Sequence, residues 1–407
     1  MKPLNVVVCG VGGYGREVYV EALLKRGKEY GLNWVGAVEP YPDTVPDKEA
    51  IDAVGVPWFK TLEEFYENNA ADLCIVAAPI QFHAPLSILA MKHGSHVLCE
   101  KPICALPSES KAMRKARDEA GVLLSIGYQW SHSAAIRHMK KDIADGVYGK
   151  PVDLQCVLHW PRDHAYFTRG IGWAGKKHDR AGRWVLDSVA NNATAHYLHN
   201  MLFVLGAQEN EAAMPEALRA TLCRTNPIEM YDTAIMEAEM GADCAGAKVR
   251  FLTTHASYAY SDVICDYCFE KGVIVYGGAE GREFTGKLDD GRVITYGNAL
   301  GDEAQKMFEM ADAIRDAAKG LPCIAETAEP HNRCMIAALL STDIVDTPKE
   351  LVDDVNGERL AVKEIDAIFE VCTRERRLPG AAEAAWAAPG KRVRLDDAAI
   401  DAYGEDA

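Results

Sequence analysis

The 407 residues exceed the usual size of a single domain, so we expect two domains of unequal size. The 60 acidic residues outnumber the 44 basic ones and give a formal charge of −16, which disfavours nucleic acid and anionic lipid as partners. No run approaches the roughly 20 apolar residues that span a bilayer. The N-terminus has no signal-peptide pattern, so we expect a cytoplasmic protein without membrane contact.

The twelve cysteines are scattered, and many stand inside apolar runs. This usage is typical of small buried side chains in a reducing compartment rather than of a disulfide framework. Cys265 and Cys268 have C-x-x-C spacing, but they fall in a strand pattern that places the two side chains on opposite faces. With no second pair nearby, we expect no metal site there.

Strand and helix patterns alternate through the first third of the chain. Apolar runs at 4–9, 34–38, 73–78, 96–99 and 122–126 predict strands, and helical spacing at 14–26, 61–69, 82–93 and 108–120 predicts the helices between them. Buried strands alternating with helices indicate an α/β fold with a doubly wound parallel sheet, the Rossmann type. We predict that this domain comprises residues 1–128.

The rhythm changes after residue 127. A helix at 134–145 precedes a long strand at 151–160, and strand patterns follow one another from about 220 to 296. Helical patterns return at 303–318, 326–340 and 362–375, and the tail after Gly380 is predicted to wrap the surface or to be partly mobile. Consecutive strands predict a C-terminal α/β domain, residues 129–407, with a large and mostly antiparallel open sheet.

A glycine motif joins the first strand to the first helix. Residues 10–15 read Gly10, Val11, Gly12, Gly13, Tyr14, Gly15, the G-x-G-x-x-G pattern of dinucleotide-binding turns. In this pattern the first glycine permits the tight turn, the second admits the pyrophosphate, and the third lets helix and strand pack closely. The partial positive charge at the helix N-terminus favours phosphate binding. The motif therefore predicts a dinucleotide cofactor.

Glu39 ends the second predicted strand, 24 residues after Gly15. A carboxylate at this position accepts hydrogen bonds from the ribose hydroxyls of NAD, and it repels the additional phosphate of NADP. No arginine or lysine follows closely. The cofactor is therefore predicted to be NAD rather than NADP.

The most informative run surrounds Lys101. The fourth strand ends at Cys99, and Glu100, Lys101 and Pro102 follow at its carboxyl end, the edge where open α/β sheets bind ligands. A lysine there can hold a substrate hydroxyl and stabilise developing negative charge. The alternative is a surface lysine with its ammonium in solvent.

These features resemble the Gfo/Idh/MocA oxidoreductases, named for glucose–fructose oxidoreductase and inositol dehydrogenase. The resemblance rests on the glycine motif, on Pro79 with His83 after the third main strand, and on Glu100-Lys101-Pro102, and it is closest over residues 4–130. It implies a Rossmann domain followed by an α/β domain whose sheet bears the substrate site and an oligomer interface, hence a homodimer or homotetramer. It also implies that Lys101 binds substrate and is catalytic. One departure is Ile80, where the family often has Asn.

The resemblance further implies a histidine base four residues after an aspartate, on a helix that ends in glycine. Counting forward from Asp187 gives Asn191, whereas counting back from Gly206 gives His196, with Asn192 in the aspartate position. Helical spacing favours His196, because Asn191 projects onto the core stripe of the helix. Asp187 remains the alternative orienting group.

His199 is the second candidate for the base. Asn192, His196 and His199 share one predicted helix face, separate from the core stripe formed by Leu198 and Leu202. The two histidines are also spaced like metal ligands, but no third ligand stands nearby, so no metal is predicted.

Candidate substrate contacts cluster between the strand ending at residue 160 and Asp187. Aromatic rings stack on the apolar faces of sugars, and arginines bind hydroxyls or a carboxylate, so a small carbohydrate or polyol is the expected partner. The residues on this segment are Trp160, Arg162, Tyr166, Arg169 and Trp173, to which Tyr128 is added. Gln129, expected near the nicotinamide, is a candidate cofactor contact, as are Tyr14, Pro79, His83, Glu100 and Lys101.

Together these patterns predict an oxidoreductase that moves a hydride between NAD and a hydroxyl carbon of a sugar, cyclitol or sugar derivative, with Lys101 and His196 at the reacting hydroxyl. Two alternatives stay open. One is a redox-neutral enzyme that oxidises a sugar carbon transiently, eliminates a neighbouring group and returns the hydride. The other is an NAD(P)-binding regulator without catalysis.

Overall fold

The computed structural model describes residues 2–170 and 172–405. The chain divides into two compact units: Met1–His132 with Leu300–Ala328 form the first, and Ser133–Ala299 with Glu329–Ala407 form the second. Residues 300–328, which the sequence placed in the second domain, thus pack with the first unit. Nothing in the sequence pattern indicates that a segment so far along the chain packs with the first unit.

The strands, in chain order, are β1 Leu4–Cys9, β2 Leu32–Val38, β3 Trp58–Phe59, β4 Leu73–Val76, β5 His96–Cys99, β6 Leu124–Ile126, β7 Pro151–His159, β8 Ala217–Arg224, β9 Thr233–Glu239, β10 Lys248–Thr254, β11 Ser261–Phe269, β12 Gly272–Tyr276, β13 Phe284–Leu288, β14 Val293–Gly297, β15 Val345–Asp346, β16 Val352–Val355, β17 Arg359–Val362 and β18 Val393–Arg394. The α-helices are α1 Lys48–Ala53, α2 Leu62–Asn68, α3 His83–Lys92, α4 Pro107–Ala120, α5 Ala134–Ala144, α6 His164–Thr168, α7 Ala195–Val204, α8 Gln305–Arg315, α9 Ala325–Ser341, α10 Ile365–Glu375, α11 Ala381–Ala384 and α12 Ala398–Asp401.

The first unit contains a six-stranded sheet in the order β3-β2-β1-β4-β5-β6. Every pairing in it is parallel. The order reverses between β1 and β4, and this switch point lies at the carboxyl ends of the strands, where such sheets bind ligands. The predicted doubly wound Rossmann sheet is confirmed.

The helix that follows the glycine motif departs from the regular α-helix predicted at 14–26. It covers residues 14–27, and Arg16–Val20 and Leu23–Gly27 within it are π-helical. Such widened turns are frequently found at functional sites.

Helix α8 completes the core of the first unit. Met307, Phe308 and Ala311 lie in the same buried cluster as Val6 and Val8 of β1. Just before α9, the backbone carbonyl of Cys323 accepts a hydrogen bond of 3.0 Å from the N–H of Ile126 in β6. The edge of the parallel sheet is therefore paired, which protects an otherwise open row of backbone groups.

The second unit is built on a large mixed sheet in the order β14-β13-β12-β11-β7-β10-β9-β8-β15, with β18 paired to β8. Its pairings are antiparallel except β7 with β10 and β8 with β15. The predicted α/β domain with a mostly antiparallel sheet is confirmed.

Both faces of the central strands are covered. Helix α7 contacts β7 and β10 on one face, where Asn200 donates a hydrogen bond of 3.1 Å to the hydroxyl of Tyr267. On the opposite face, Ile368 and Phe369 of α10 pack in one buried cluster with Ile235 and Leu252. Part of the tail after Gly380 joins the sheet as β18 rather than lying free on the surface.

In the described part of the chain, no helix combines the length and apolar character needed to cross a membrane. All twelve cysteines are free thiols, and all except Cys268 are buried, as the sequence predicted. The Sγ atom of Cys265 lies 2.9 Å from that of Cys156, whereas Cys268 contacts Asp266 on the other face of the strand.

Candidate functional site

The turn after β1 is shaped for glycine. Gly10 has φ +85°, and a Cβ on it would lie 2.6 Å from the carbonyl oxygen of Ala77. A Cβ on Gly15 would lie 2.1 Å from the carbonyl oxygen of Gly10. A side chain at either position would collide with the backbone of Ala77 or of the turn itself, so the geometry fits the turn and packing roles that the motif predicts for these two glycines.

The other side of the turn is open. A Cβ on Gly13 would meet no atom within 4 Å, and one on Gly12 would meet only Glu39 Oε2, at 3.9 Å. The backbone N–H groups of a helix's first turn lack intrahelical partners and favour a phosphate. The turn thus combines free space, helix N–H donors at Tyr14 and a carboxylate at Glu39. These residues fit a dinucleotide with unphosphorylated ribose.

Glu100 is buried directly after β5. Its Oε1 accepts hydrogen bonds of 2.5 Å from the hydroxyl of Tyr19 and of 2.5 Å from Nζ of Lys306, and its Oε2 accepts one of 3.1 Å from the backbone N–H of Lys101. Burial acts to raise the pKa of Glu100, but the ammonium of Lys306 outweighs it and holds that pKa below its usual value. The carboxylate is therefore ionised and fixes the backbone from which Lys101 projects.

Sequence reasoning missed Lys306. Its side chain has no exposed surface, and its Nζ also lies 3.1 Å from the hydroxyl of Tyr14, which donates to Oε1 of Gln129 at 2.9 Å. The structure thus brings together Tyr14, Gln129 and Glu100, all predicted cofactor residues, around one buried ammonium. In the sequence, Lys306 stands beside Met307 and Phe308 on an apolar helix, and a lysine in that context is ordinarily interpreted as a surface residue.

His83 joins two loops of the cofactor side. Its Nδ1 lies 2.7 Å from the carbonyl oxygen of Pro102 and its Nε2 lies 2.8 Å from that of Ala78. Burial lowers the pKa of this imidazole. Pro79 begins the turn between these contacts, and the half-buried Lys101 immediately precedes Pro102. His83 is therefore a positioning residue for the Lys101 loop.

Tyr128, predicted near the substrate, is fully buried, and the neighbouring Trp130 is 1% exposed. Ile80 is also buried, at 3% exposure, so the position where the resemblance leads one to expect Asn is an apolar core position.

In the second unit, Asp187 is buried and has both oxygens engaged. Oδ1 accepts a hydrogen bond of 2.8 Å from Asn192 Nδ2, and Oδ2 accepts one of 2.6 Å from the backbone N–H of Gly175. Asn191 is buried, and its Nδ2 donates to the carbonyl oxygen of Leu186 at 2.9 Å. Asp187 and Asn192 therefore form one polar pair, and Asn191 has a structural contact.

Helix α7 carries the two candidate bases in different surroundings. His196 is half-buried, whereas His199 is 1% exposed and stacks on Phe203 with ring centroids 6.0 Å apart. The predicted continuous helix face from Asn192 is interrupted, because a π-helical turn at Val189–Ala193 precedes the start of α7.

The predicted aromatic and arginine segment lies in the same unit. The ring of Tyr166 in α6 contacts the guanidiniums of Arg162 and Arg169, which are 4.6 and 3.5 Å from its centroid. Trp160 contacts Arg162, and Trp173 contacts Arg169. All five predicted residues of this segment are thus in one cluster.

Comparison with known proteins agrees with these features. Residues 4–128 match the GFO_IDH_MocA model, described as an oxidoreductase family with an NAD-binding Rossmann fold. The chain is 29% identical over 153 residues to 1,5-anhydro-D-fructose reductase of Ensifer adhaerens. The matched region covers 37% of this chain and 43% of that protein. The chain is also 28% identical over 151 residues to 2,7-anhydro-N-acetylneuraminate hydratase of Mediterraneibacter gnavus, covering 37% and 38%.

Among solved structures, the WlbA dehydrogenase from Bordetella pertussis, in complex with NADH and UDP-GlcNAcA, superposes with a TM-score of 0.68 at 20% identity, over 83% of this chain and 96% of that one. At this identity the likeness shows the fold alone. The sequence matches span less than half the length of the two curated relatives. Residues 4–128 of the chain are therefore similar to the Gfo/Idh/MocA oxidoreductases, the family whose model describes an NAD-binding Rossmann fold.

Proposed function

We propose that this protein is an NAD-dependent oxidoreductase acting on a hydroxyl carbon of a sugar, cyclitol or sugar derivative. The observation that carries the proposal is Lys101, held by an anchored Glu100 at the carboxyl end of a Rossmann sheet whose glycine turn has room for a pyrophosphate. Bound NAD supplies the hydride acceptor.

The roles of the chain's own residues follow from their chemistry. The ammonium of Lys101 donates a hydrogen bond to the reacting hydroxyl oxygen and stabilises the negative charge that develops on it. The imidazole of His196 accepts the hydroxyl proton. His196 is favoured over His199, because His199 is buried against Phe203. Asp187 and Asn192, which are hydrogen-bonded to each other, are the proposed orienting pair for the base.

The test is a panel of cyclitols, aldoses, sugar acids and glycosides, followed by nicotinamide absorbance with NAD and with NADP. Lys101→Ala is expected to lower kcat by about 10²–10⁴-fold with NAD affinity retained. Lys92→Ala, which removes an exposed lysine from α3, is the matched control. Undiminished turnover in Lys101→Ala would remove the lysine from the mechanism.

A redox-neutral reaction is the second candidate, because one relative named above is a hydratase. Product formation without net accumulation of NADH would favour it. NAD binding without turnover of any panel member would favour a regulator.

NAD is proposed over NADP on the position of Glu39 beside the glycine turn. A carboxylate there repels a 2′-phosphate, so the panel is expected to run faster with NAD. We also propose a homo-oligomer formed through the sheet of the second unit. Because α10 covers the central strands, the available part of that face is β11–β14.

A further inference from the structure

Arg162 and Arg169 both contact one aromatic ring. Their guanidinium carbons are 4.6 and 3.5 Å from the centroid of Tyr166. Arg162 is also 5.6 Å from the ring of Trp160, and Arg169 is 5.3 Å from that of Trp173. Stacking on rings fixes each planar guanidinium and leaves its N–H edge available for a ligand.

Neither arginine is paired with a carboxylate among the residues that the structure describes. The Nε of Arg162 is buried without a hydrogen-bond partner among the described residues, and Arg169 donates to the backbone carbonyl of Tyr166, at 2.5 Å. Arg117, by contrast, forms two hydrogen bonds of 2.7 Å with Glu326. Two half-buried cations without a counter-charge are notable in a protein with a formal charge of −16, because half-buried charge is costly unless it is paired.

The positive charge of the two arginines is concentrated at one place. Both act on the buried His255, whose pKa falls to about 3, mainly through burial and then through Arg162 and Arg169. The neutral ring adds no charge of its own. Its Nδ1 donates to the carbonyl oxygen of Trp160 at 2.7 Å, since that oxygen can only accept.

Two carboxylates of this region are already engaged. Asp163 caps α6 by accepting from the N–H of Tyr166 at 2.7 Å, and Asp187 is held by Asn192 and Gly175. The Asp187 charge nevertheless reaches the Tyr166 hydroxyl, and burial together with that charge raises the pKa of Tyr166. The arginine cluster therefore borders the predicted catalytic segment, and the ring of Trp160 contacts Tyr197 of α7 at 5.7 Å.

We propose that Arg162, Tyr166 and Arg169 form an oxyanion subsite, and that the substrate of the proposed oxidoreductase carries a carboxylate or phosphate group that binds there. That the bound anion belongs to a substrate rests on the proposed function, whereas anion binding at the subsite does not depend on catalysis. Guanidinium forks bind such groups through paired, charge-assisted hydrogen bonds, and the bound anion would supply the negative counter-charge that the two arginines lack among the described residues.

The test is calorimetric titration of the NADH-bound protein with D-glucuronate, D-glucose 6-phosphate, D-glucose and myo-inositol as probes. Comparison of the glucuronate and phosphate arms identifies the source of the oxyanion. Wild type is expected to bind at least one anionic probe more tightly than both neutral ones. Arg162→Gln and Arg169→Gln are each expected to weaken that anion by about 10-fold or more.

Three variants keep the test sharp. Arg180→Gln removes an exposed arginine from the same segment and is expected to leave all affinities unchanged. Arg162→Lys retains the charge but not the planar fork, and is expected to recover only part of the anion affinity. Retained NADH binding establishes that each variant is folded.

The outcomes separate the subsite from the proposed function. Anion binding that is lost in the Arg162 and Arg169 variants supports the subsite, even if no probe is oxidised. The subsite is overturned if neutral probes bind as tightly as anions, if the two variants bind anions as wild type does, or if no anionic probe binds. Turnover of neutral polyols that is indifferent to both arginines would leave the proposed function standing alone.

Discussion

Lys306 carries a full charge into the interior of the first unit, where its side chain has no exposed surface and Glu100 has 6%. Removing one partner of a buried ion pair leaves an uncompensated charge, which costs far more than removing both. Because Glu100 also holds the backbone of Lys101, this pair connects core stability to the geometry of the site.

We expect Lys306→Met to lower the free energy of unfolding by about 3–5 kcal/mol, measured by denaturant titration. The double variant Lys306→Met with Glu100→Gln should regain much of this loss, because no buried charge then remains. Lys115→Met, at a position 75% exposed, is the control and should change stability by less than about 0.5 kcal/mol. A double variant no more stable than the single one would contradict the ion-pair explanation.

His255 gives the second unit a dependence on pH. Its pKa is about 3 in the folded state, with Arg162, Arg169 and Tyr166 around it, whereas an unfolded histidine titrates near 6.5. Below that value the unfolded chain binds a proton that the folded chain does not, so stability present at neutral pH is lost as the pH falls from about 6.5 towards 3.

We expect the titration of His255 to lower the free energy of unfolding by about 2 kcal/mol between pH 7 and pH 5, because a proton bound only by the unfolded chain contributes about 1.4 kcal/mol per pH unit. His255→Asn retains a donor for the carbonyl of Trp160 and removes the titration, so the stability difference between the two pH values should shrink by that amount. His93→Asn changes an exposed histidine and serves as the control. An unchanged difference in His255→Asn would show that the ring already titrates normally when folded.

At the level of elements, the glycine turn separates folding from cofactor binding. Gly15 lies so close to the turn that a methyl group would be 2.1 Å from the carbonyl oxygen of Gly10, whereas Gly13 faces open space. Substitution by alanine adds the same single methyl group at either position, so the two variants form a matched pair.

Gly15→Ala is expected to destabilise the first unit by about 1–3 kcal/mol, because the helix must move away from β1. Gly13→Ala should keep the melting temperature of wild type and weaken NAD, since the added methyl group enters the space assigned to the pyrophosphate. Melting curves and NAD titrations of both variants check this. Wild-type NAD affinity in Gly13→Ala would place the pyrophosphate elsewhere.

At the level of the whole molecule, the proposed assembly depends on which part of the large sheet is exposed. Ile264 of β11 and Val293 of β14 are 38% and 64% exposed. Through the pairings of β11 to β14 they lie on the face that α10 covers over the central strands. Apolar side chains on an uncovered sheet face are typical of contact surfaces.

If this face is the interface, Ile264→Asp with Val293→Asp should lower the molecular mass measured by light scattering to that of one chain. Val54→Asp introduces the same charge at a residue 58% exposed in the first unit and should leave the mass unchanged. An oligomer that survives the double substitution would place the interface on another surface.

The sequence by itself determined the local features of this protein. The strands at 4–9 and 96–99 have the predicted bounds, the glycine motif sits at the predicted turn, and the parallel and antiparallel sheets follow the predicted order of elements. These features depend on side-chain periodicity and on backbone conformations that neighbouring residues dictate, so they can be read from short segments.

Only the tertiary structure decided which distant side chains and segments contact one another. Lys306 reaches Glu100 across 206 positions, α8 joins the first unit from residue 305, and α10 covers a sheet face that the sequence left open. The same holds for Arg162 and Arg169, whose lack of carboxylate partners among the residues that the structure describes is visible only in three dimensions. Pairing of charges and covering of faces depend on contacts between distant segments, which periodicity does not encode.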